Sequence, residues 1–199
     1  MEYIYEAHNI LPKTFCKEMI EKFESDSRRR QGETQGGAID HTLKKCTDLS
    51  IEHITGWGVE SKHLDDAFNT AFIDYQNYLK LNVFGEEKAH IVDQLFSGKN
   101  VVRNTLTFRK YQVGDYFKWH IDYLHSADRM CNFIIYLNDH EACTEFLNGK
   151  KIKPEAGKIV FFPTTWADAH CGQTIEKGDK YMITSFIHYD DTNERYTPP

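Results

Sequence analysis

The sequence predicts a mainly β protein with flanking helices (α+β), in which an antiparallel sandwich or jelly roll is braced by helices near the N-terminus. Two observations predict this fold class. After about residue 100 the chain consists of short runs rich in β-branched and aromatic residues, separated by turn signals such as VGD, LNGKK and EKGD. Helical patterns are confined to the first half, as in folds whose helices cover one face of a sheet.

The first half contains one short strand pattern and two amphipathic helix patterns. Residues 3–10 alternate as a strand, and PKTFCKEMIEKFES then places apolar residues at helical spacing behind a proline. A second apolar stripe runs from Ser61 to Leu81. The expected buried positions of the two helices are Phe15, Met19, Ile20, Phe23, Leu64, Phe68, Phe72, Tyr75 and Leu79. Residues 25–40 between them carry three consecutive arginines and three glycines, which predicts a mobile loop.

Five runs predict the strands of the second half: VVRNTLTFRKY, YFKWHIDY, MCNFIIYLN, KIVFFP and YMITSFIHY. We therefore expect a single domain over 1–199. Its parts are a helical support region at 1–97 with one or more extra strands, a β core at 98–190 and a polar tail at 191–199.

Charge and cysteine content narrow the range of partners and compartments. The net charge is -6, so neither nucleic acid nor an anionic membrane is expected as a partner. The five cysteines include no C-x-x-C pair, the N-terminus has no basic segment followed by an apolar run, and no apolar stretch approaches the ~18 residues of a membrane helix. These features favour reduced thiols and a cytoplasmic location.

The run YFKWHIDY carries a candidate metal site. Strand alternation puts His120 and Asp122 on one face, about 7 Å apart, so both can converge on one ion. A third ligand has to come from another strand, and His170 follows the apolar run KIVFFP. Two histidines and one carboxylate occupy one face of an octahedral iron(II) ion and leave three positions open, which favours catalysis over a closed structural site.

The H-x-D motif by itself is weak, because it more often marks a surface strand with a solvated carboxylate. His188-Tyr189-Asp190 is a second copy of the motif in this chain. No histidine follows that second copy to complete a metal site. We therefore interpret His188 as a packing or surface residue.

The surroundings of the first motif resemble the prolyl 4-hydroxylase-like branch of the 2-oxoglutarate and Fe(II)-dependent oxygenases, from about Arg103 to Ile187. In that family a strand ending in tyrosine and a glycine turn precedes H-x-D, as in FRKYQVGDYFKWHID, and the next strand has a tyrosine before Leu-Asn, as in FIIYLN. A lysine or arginine also follows the distal histidine by ten positions, as Lys180 follows His170. The resemblance implies that the region 98–190 is a double-stranded β-helix catalytic core.

The resemblance also implies roles for individual residues. The catalytic metal ligands to Fe(II) would be His120, Asp122 and His170. The residues that bind 2-oxoglutarate would be Lys180, Tyr111, Tyr136 and Thr184. Oxygen is the second cosubstrate, and ascorbate is a possible reductant in this family. Lys180 and Thr184 share a face of their strand and are both assigned to the carboxylate that lies far from the iron.

The sequence departs from the family pattern at Trp119, where many relatives have proline, and at Ala142-Cys143, where many have Gly-Gly. Neither departure is expected to touch a ligand. The loops expected to recognise the substrate lie at 25–40 and between Tyr123 and Met130. Arg103 and Arg129 could also meet a substrate, although solvated arginines at strand ends are the commoner case.

The implied reaction is hydroxylation of a C–H bond, with a prolyl residue of a peptide or protein as the first expected substrate. A free amino acid or other small molecule is the alternative, and nucleic-acid dealkylation ranks third, because dealkylating relatives pair the cosubstrate with arginine and carry a basic groove. Asp122 argues against halogenation, since halogenating relatives have a small residue there. The alternative from another class is a non-catalytic jelly-roll binding module.

Overall fold

The computed structural model describes residues 2–34, 37–52, 54–96, 101–123 and 129–189. In these ranges two antiparallel sheets face each other, and helices pack on the outer face of the larger sheet. The predicted mainly β fold with a jelly-roll core and N-terminal helices is confirmed. The predicted polar tail at 191–199 lies outside the described residues.

The strands and helices are numbered in chain order. The strands are β1 (Tyr5–Ala7), β2 (Arg30–Gln31), β3 (Lys44–Lys45), β4 (Thr47–Ser50), β5 (Val101–Arg103), β6 (Thr107–Tyr111), β7 (Tyr116–His120), β8 (Arg129–Tyr136), β9 (Thr144–Phe146), β10 (Lys151–Ile152), β11 (Lys158–Pro163), β12 (His170–Gly172) and β13 (Lys180–Tyr189). The helices are α1 (Lys13–Ser25), α2 (Gly58–Tyr78) and α3 (Ala89–Phe96). A π-helical turn (Leu79–Phe84) and a 3-10 turn (Glu86–Lys88) join α2 to α3, and a 3-10 turn (Trp166–Asp168) precedes β12.

The two sheets differ in size and in what covers them. The larger sheet has the order β1-β11-β8-β13-β6-β4-β2, with β5 beside β13, and the smaller sheet has the order β10-β9-β12-β7-β3. The N-terminal half therefore adds strands to both sheets. Within the described ranges, the chain has no helix of the length and apolar character needed to cross a membrane.

Strand alternation gives the larger sheet two different faces. Phe108, Phe133 and Ile183 belong to the core that the sheet shares with the helices, and Phe23 of α1 stacks on Phe108 with ring centroids 4.2 Å apart. Their neighbours Tyr111, Tyr136 and Met182 belong to a second core between the two sheets. Polar side chains on this inner face are therefore held inside the barrel.

Several elements differ from the sequence prediction. The predicted loop at 25–40 contains β2, which pairs with β4, and the predicted strand VVRNTLTFRKY is divided into β5 and β6. Helix α3 and the short strands β3, β4, β9, β10 and β12 are additional elements. Strands of two to four residues depend on the strand beside them for their hydrogen bonds, so their own residues carry little pattern.

Candidate active site

The three predicted metal ligands meet at one point in the structure. His120 ends β7, Asp122 follows it, and His170 begins β12, whose backbone pairs His170 directly with His120. One ligand atom from each side chain lies within 4.8 Å of the others. The second H-x-D lies elsewhere: His188 is near the end of β13 and pairs with β5, and Asp190 is outside the described residues.

Backbone carbonyls orient both imidazole rings. Nδ1 of His120 lies 2.8 Å from the carbonyl oxygen of Lys118, and Nδ1 of His170 lies 3.1 Å from that of Asp168. Because a carbonyl only accepts hydrogen bonds, each ring carries its proton on Nδ1 and presents a free lone pair on Nε2. These Nε2 atoms lie 3.6 and 3.8 Å from the two carboxylate oxygens of Asp122. Two imidazole nitrogens and a carboxylate are a donor set that suits iron(II).

His120 is held in the neutral form that a metal requires. Burial and, to a smaller extent, the neighbouring His170 lower its pKa to about 3. The ring of Phe117 stacks on that of His120 with centroids 3.5 Å apart. A neutral imidazole binds a metal without first releasing a proton.

Asn132 of β8 holds the carboxylate ligand. Its Nδ2 donates a hydrogen bond of 2.6 Å to Oδ2 of Asp122, and Nη1 of Arg129 donates one of 3.2 Å to the Asp122 carbonyl. The Oδ1 atom of Asn132 is buried without a hydrogen-bond partner among the described residues. Sequence patterns did not single out Asn132, although it lies four positions before Tyr136 on the same face of β8.

Lys180, the predicted cosubstrate lysine, is almost fully buried in the same cavity, with an exposed fraction of 1%. Its Nζ donates a 3.2 Å hydrogen bond to the Ala142 carbonyl and lies 5.3 Å from the ring centroid of Tyr111. An ammonium has three N–H donors, so donors remain for an anion. Burial lowers the pKa of Lys180 to about 8. Ala142, where the sequence departs from the family pattern, therefore contacts Lys180 through its backbone carbonyl.

The other three predicted cosubstrate residues face the inside of the barrel. The Tyr136 hydroxyl and Oγ1 of Thr144 are 2.7 Å apart, and Tyr111 of β6 pairs with Lys180 of β13. Thr184 is buried two inner-face positions further along β13 than Lys180. Burial raises the pKa of both tyrosines, so their hydroxyls stay protonated and can donate hydrogen bonds.

One cavity, called the site cavity below, is lined by all the predicted site residues except Tyr136. Tyr136 belongs to the same core between the two sheets. The three candidate metal ligands His120, Asp122 and His170, called the metal group below, lie on or just after strands β7 and β12 of the smaller sheet. The larger sheet carries Lys180, Thr184, Tyr111 and Tyr136. A molecule that contacts both groups therefore spans the gap between the sheets.

The two arginines considered for substrate contact have different environments. Arg103 ends β5 and forms ion pairs with Glu52, just after β4, and with Asp65 of α2, so its charge is already paired within the fold. The guanidinium of Arg129 lies 3.9 Å from the ring centroid of Phe186, close to the metal group. Part of the predicted recognition loop beside it, residues 124–128, lies outside the described residues.

This chain resembles known proteins in part of its sequence and in its fold. Residues 106–188 match the family model of the 2OG-Fe(II) oxygenase superfamily. No curated protein sequence matches the chain.

Three similar solved structures are prolyl hydroxylases. One is the viral collagen prolyl hydroxylase of Paramecium Bursaria Chlorella virus-1 in its 2OG complex, with 16% identity, TM-score 0.61 and coverage of 94% of this chain and 96% of that chain. Another is the prolyl hydroxylase of Trichoplax adhaerens in complex with a hypoxia inducible factor peptide fragment, with 13% identity, TM-score 0.71 and coverage of 93% and 83%. The third is a Pseudomonas putida prolyl-4-hydroxylase, with 12% identity, TM-score 0.64 and coverage of 94% and 93%. At these identities the likeness shows a shared fold.

Proposed function

The chain belongs to the 2OG-Fe(II) oxygenase superfamily, and on this premise we propose that it hydroxylates a prolyl residue of a peptide or protein. Iron(II) and 2-oxoglutarate are the metal and cosubstrate of the superfamily. The observation that carries the proposal is the convergence of His120, Asp122 and His170 with a buried lysine in one cavity of a jelly roll.

We assign Fe(II) to His120, Asp122 and His170, and the residues present fit it. The Nε2 lone pairs of His120 and His170 are free and lie close to the Asp122 carboxylate. The hydrogen bond from Asn132 holds that carboxylate in position. When bound, iron(II), 2-oxoglutarate and molecular oxygen would supply the oxidation: one atom of O2 enters the substrate C–H bond, and the other enters succinate, which forms from 2-oxoglutarate with release of carbon dioxide.

We assign the chain's own part of the reaction to binding, orientation and exclusion of water. Lys180 supplies a positive charge for the distant carboxylate of 2-oxoglutarate, and Tyr111, Tyr136 and Thr184 supply hydroxyl donors. An ion pair at ~4 Å is worth up to about 4 kcal/mol at an effective dielectric of ~20, so the lysine offsets the loss of hydration when a dianion enters the barrel. The ring of Phe117 beside His120 and the rings of Phe146 and Phe162 beside His170 help to exclude water from the metal site.

The prolyl substrate is proposed because the three similar structures named above are prolyl hydroxylases that share this chain's fold along more than nine-tenths of its length. A free amino acid or another small molecule is the second candidate. The two classes differ in length, so a direct comparison of substrates is needed to distinguish them.

We further propose that residues 98–190 form the catalytic core and that 1–97 support it, since the helices of the N-terminal half pack against the larger sheet. A cytoplasmic location is proposed from the five cysteines, all of which are free thiols. Ascorbate is proposed as a reductant that maintains iron(II).

The proposal is tested by loading the protein with iron(II) and 2-oxoglutarate without oxygen and recording the charge-transfer absorption. Oxygen and a proline-containing peptide are then added, and succinate and the mass of the peptide are measured. Expected results are a visible band, succinate formation and a gain of one oxygen atom on proline. Absence of both the band and succinate contradicts the enzyme assignment. Succinate without peptide oxidation points to the free amino acid class.

The metal assignment has its own test. His120→Ala and His170→Ala should each abolish the absorption band, since two remaining ligands hold iron poorly. His188→Ala is the matched control, because it removes the histidine of the second H-x-D and should leave the band intact. A band that survives in either ligand variant contradicts the assignment.

A further inference from the structure

A groove adjoins the site cavity and is built by the edge of the larger sheet. Strands β2, β4 and β6 and the end of β13 line it. Arg109 and Thr184 line both the groove and the site cavity. The groove therefore adjoins the site cavity, and these two side chains lie at the boundary between them.

Arg109 is the charged side chain at the junction of the two. It points inward from β6, two positions before Tyr111, and its neighbour across the sheet is Met182. Its Nε lies 3.4 Å from Oδ1 of Asp48, but the geometry does not make a hydrogen bond, and within the described ranges this buried N–H has no acceptor. A guanidinium has five N–H donors, and leaving them unpaired in a buried position is costly.

Asp48 cannot neutralise Arg109 alone, because other groups already use its carboxylate. The buried Nζ of Lys44 lies 3.1 Å from Oδ2 of Asp48, and Sγ of Cys46 donates to Oδ1 at 3.2 Å. Burial and the charge of Arg109 both lower the pKa of Lys44. Two cations thus share one carboxylate, and positive charge is left over.

The excess of positive charge at the Lys44-Asp48-Arg109 cluster occurs in a chain whose net charge is -6. Its electrostatic consequence is attraction of a negatively charged ligand to the cluster.

We propose that Arg109 determines substrate specificity by binding a carboxylate of the substrate next to the carbon that is oxidised, an inference that rests on the proposed hydroxylase function. A carboxylate matches the planar fork of a guanidinium and supplies the negative charge that the Lys44-Asp48-Arg109 cluster lacks. The carboxylate belongs either to a free amino acid or to an acidic side chain beside the target residue in a peptide.

Arg109 is separate from the groups assigned to the cosubstrate. Lys180 already offers an ammonium inside the barrel, and its neighbour across the sheet is Tyr111. Arg109 lies one inner-face position closer to the groove than Tyr111 and leans toward Asp48 on β4. The two cations therefore serve two different anions.

The test compares matched carboxylate and amide probes by calorimetric titration into protein loaded with Mn²⁺ and 2-oxoglutarate, which binds without turnover. One pair is L-proline and L-prolinamide. The other is a blocked peptide with Pro-Glu and the same peptide with Pro-Gln. We expect the carboxylate member of one pair to bind at least about tenfold more tightly than its amide, and the pair that discriminates identifies the source of the carboxylate.

Arg109→Gln should erase this preference while leaving 2-oxoglutarate affinity unchanged, and Arg109→Lys should keep part of it because it keeps the charge but loses the fork. Lys110→Gln is the matched control, since it removes the same charge from the opposite face of β6, where Lys110 pairs with Glu24. If Arg109→Gln is unstable, the double variant Arg109→Gln/Asp48→Asn removes the charges as a pair and should show the same loss.

The proposal is overturned if neither probe pair is discriminated by the wild-type protein, or if Arg109→Gln retains the preference. It is also overturned if Arg109→Gln weakens 2-oxoglutarate binding, which would assign the arginine to the cosubstrate. Failure of the hydroxylase proposal is separate, because it is read from the absorption band and succinate in the wild-type protein.

Discussion

Lys180 shows at the scale of one residue how the site is prepared for a ligand. Its ammonium is buried, and within the described ranges it has no carboxylate within ion-pair distance. The cost of burying this charge appears as a lowered pKa. Under the proposed assignment of Lys180 to 2-oxoglutarate, binding of that dianion would offset the cost.

The first prediction concerns the pH dependence of cosubstrate binding. The charged form of Lys180 dominates below its pKa of about 8 and is lost as the pH rises through that value. The dissociation constant of 2-oxoglutarate should therefore be about tenfold higher at pH 9 than at pH 7. Titration of Mn²⁺-loaded protein at both pH values measures it. Lys180→Arg should give a flat profile, and an unchanged pH dependence in that variant would assign the titration to another group.

The second prediction concerns Asn132. Asn132→Ala removes the 2.6 Å hydrogen bond that orients Asp122, and loss of such an outer contact typically weakens metal affinity 10- to 100-fold, an order-of-magnitude figure. Competition with a chelator for Mn²⁺ measures the affinity. Asn138→Ala, which removes an amide bonded to the Asp179 carbonyl, should leave it unchanged. Equal affinities in the Asn132 variant and the wild type would mean that Asp122 holds its position without help.

Residues with a strong motif were predictable, and residues defined by their surroundings were not. His120, Asp122, His170 and Lys180 stand at fixed spacings in the sequence, and the structure brings them into one cavity. Arg109 carries no such signal, because an arginine in a strand is usually solvated. Strand alternation alone could have found it, since it shares the inner face of β6 with Tyr111.

At the scale of elements, β2 lies so close to β4 that a side chain does not fit between them. A Cβ on Gly32, just after β2, would lie 2.2 Å from Sγ of Cys46 and 3.1 Å from Oδ2 of Asp48. The glycine therefore lets this edge strand approach the Lys44-Asp48-Arg109 cluster. The composition of residues 25–40 indicated a loop. Strand β2 forms because β4, which lies outside that segment, supplies its hydrogen-bond partners.

The third prediction tests this close approach. Gly32→Ala should lower the free energy of unfolding by about 1–3 kcal/mol, as overpacking does. Cys46→Ala removes the clashing sulfur, so the double variant should be more stable than the sum of the two single effects predicts. Chemical denaturation of all four proteins gives this coupling energy. Additive effects would show that β2 moves freely away from β4.

The long elements were predictable, and the short ones depended on their neighbours. Helices α1 and α2 and strands β6, β7, β8, β11 and β13 carry their own apolar periodicity. Strand β12 is only His-Cys-Gly, and it is a strand because β7 and β9 supply hydrogen bonds on both sides. No pattern within three residues could have predicted it.

At the scale of the whole molecule, ligand binding should raise thermal stability. A ligand present at 100 times its dissociation constant stabilises the folded state by about 2.7 kcal/mol. For a chain of this size each kcal/mol raises Tm by roughly 2–4 °C, so saturating Mn²⁺ with 2-oxoglutarate should raise it by about 5–11 °C. Scanning calorimetry measures the shift. His120→Ala should lose all of it and Lys180→Ala only the part due to 2-oxoglutarate, whereas an undiminished shift in His120→Ala would place the metal elsewhere.

Under the proposed assignments, the division of the site between the two sheets would select the cosubstrate by its length. The metal group belongs to the smaller sheet and Lys180 to the larger one. A 2-oxo diacid reaches both only if its carbon chain matches the distance between the sheets, which the packed core holds nearly constant. Oxaloacetate, one carbon shorter, and 2-oxoadipate, one carbon longer, each carry the same two charges and should both be rejected. Selection by length then comes from the width of the fold and not from any single side chain.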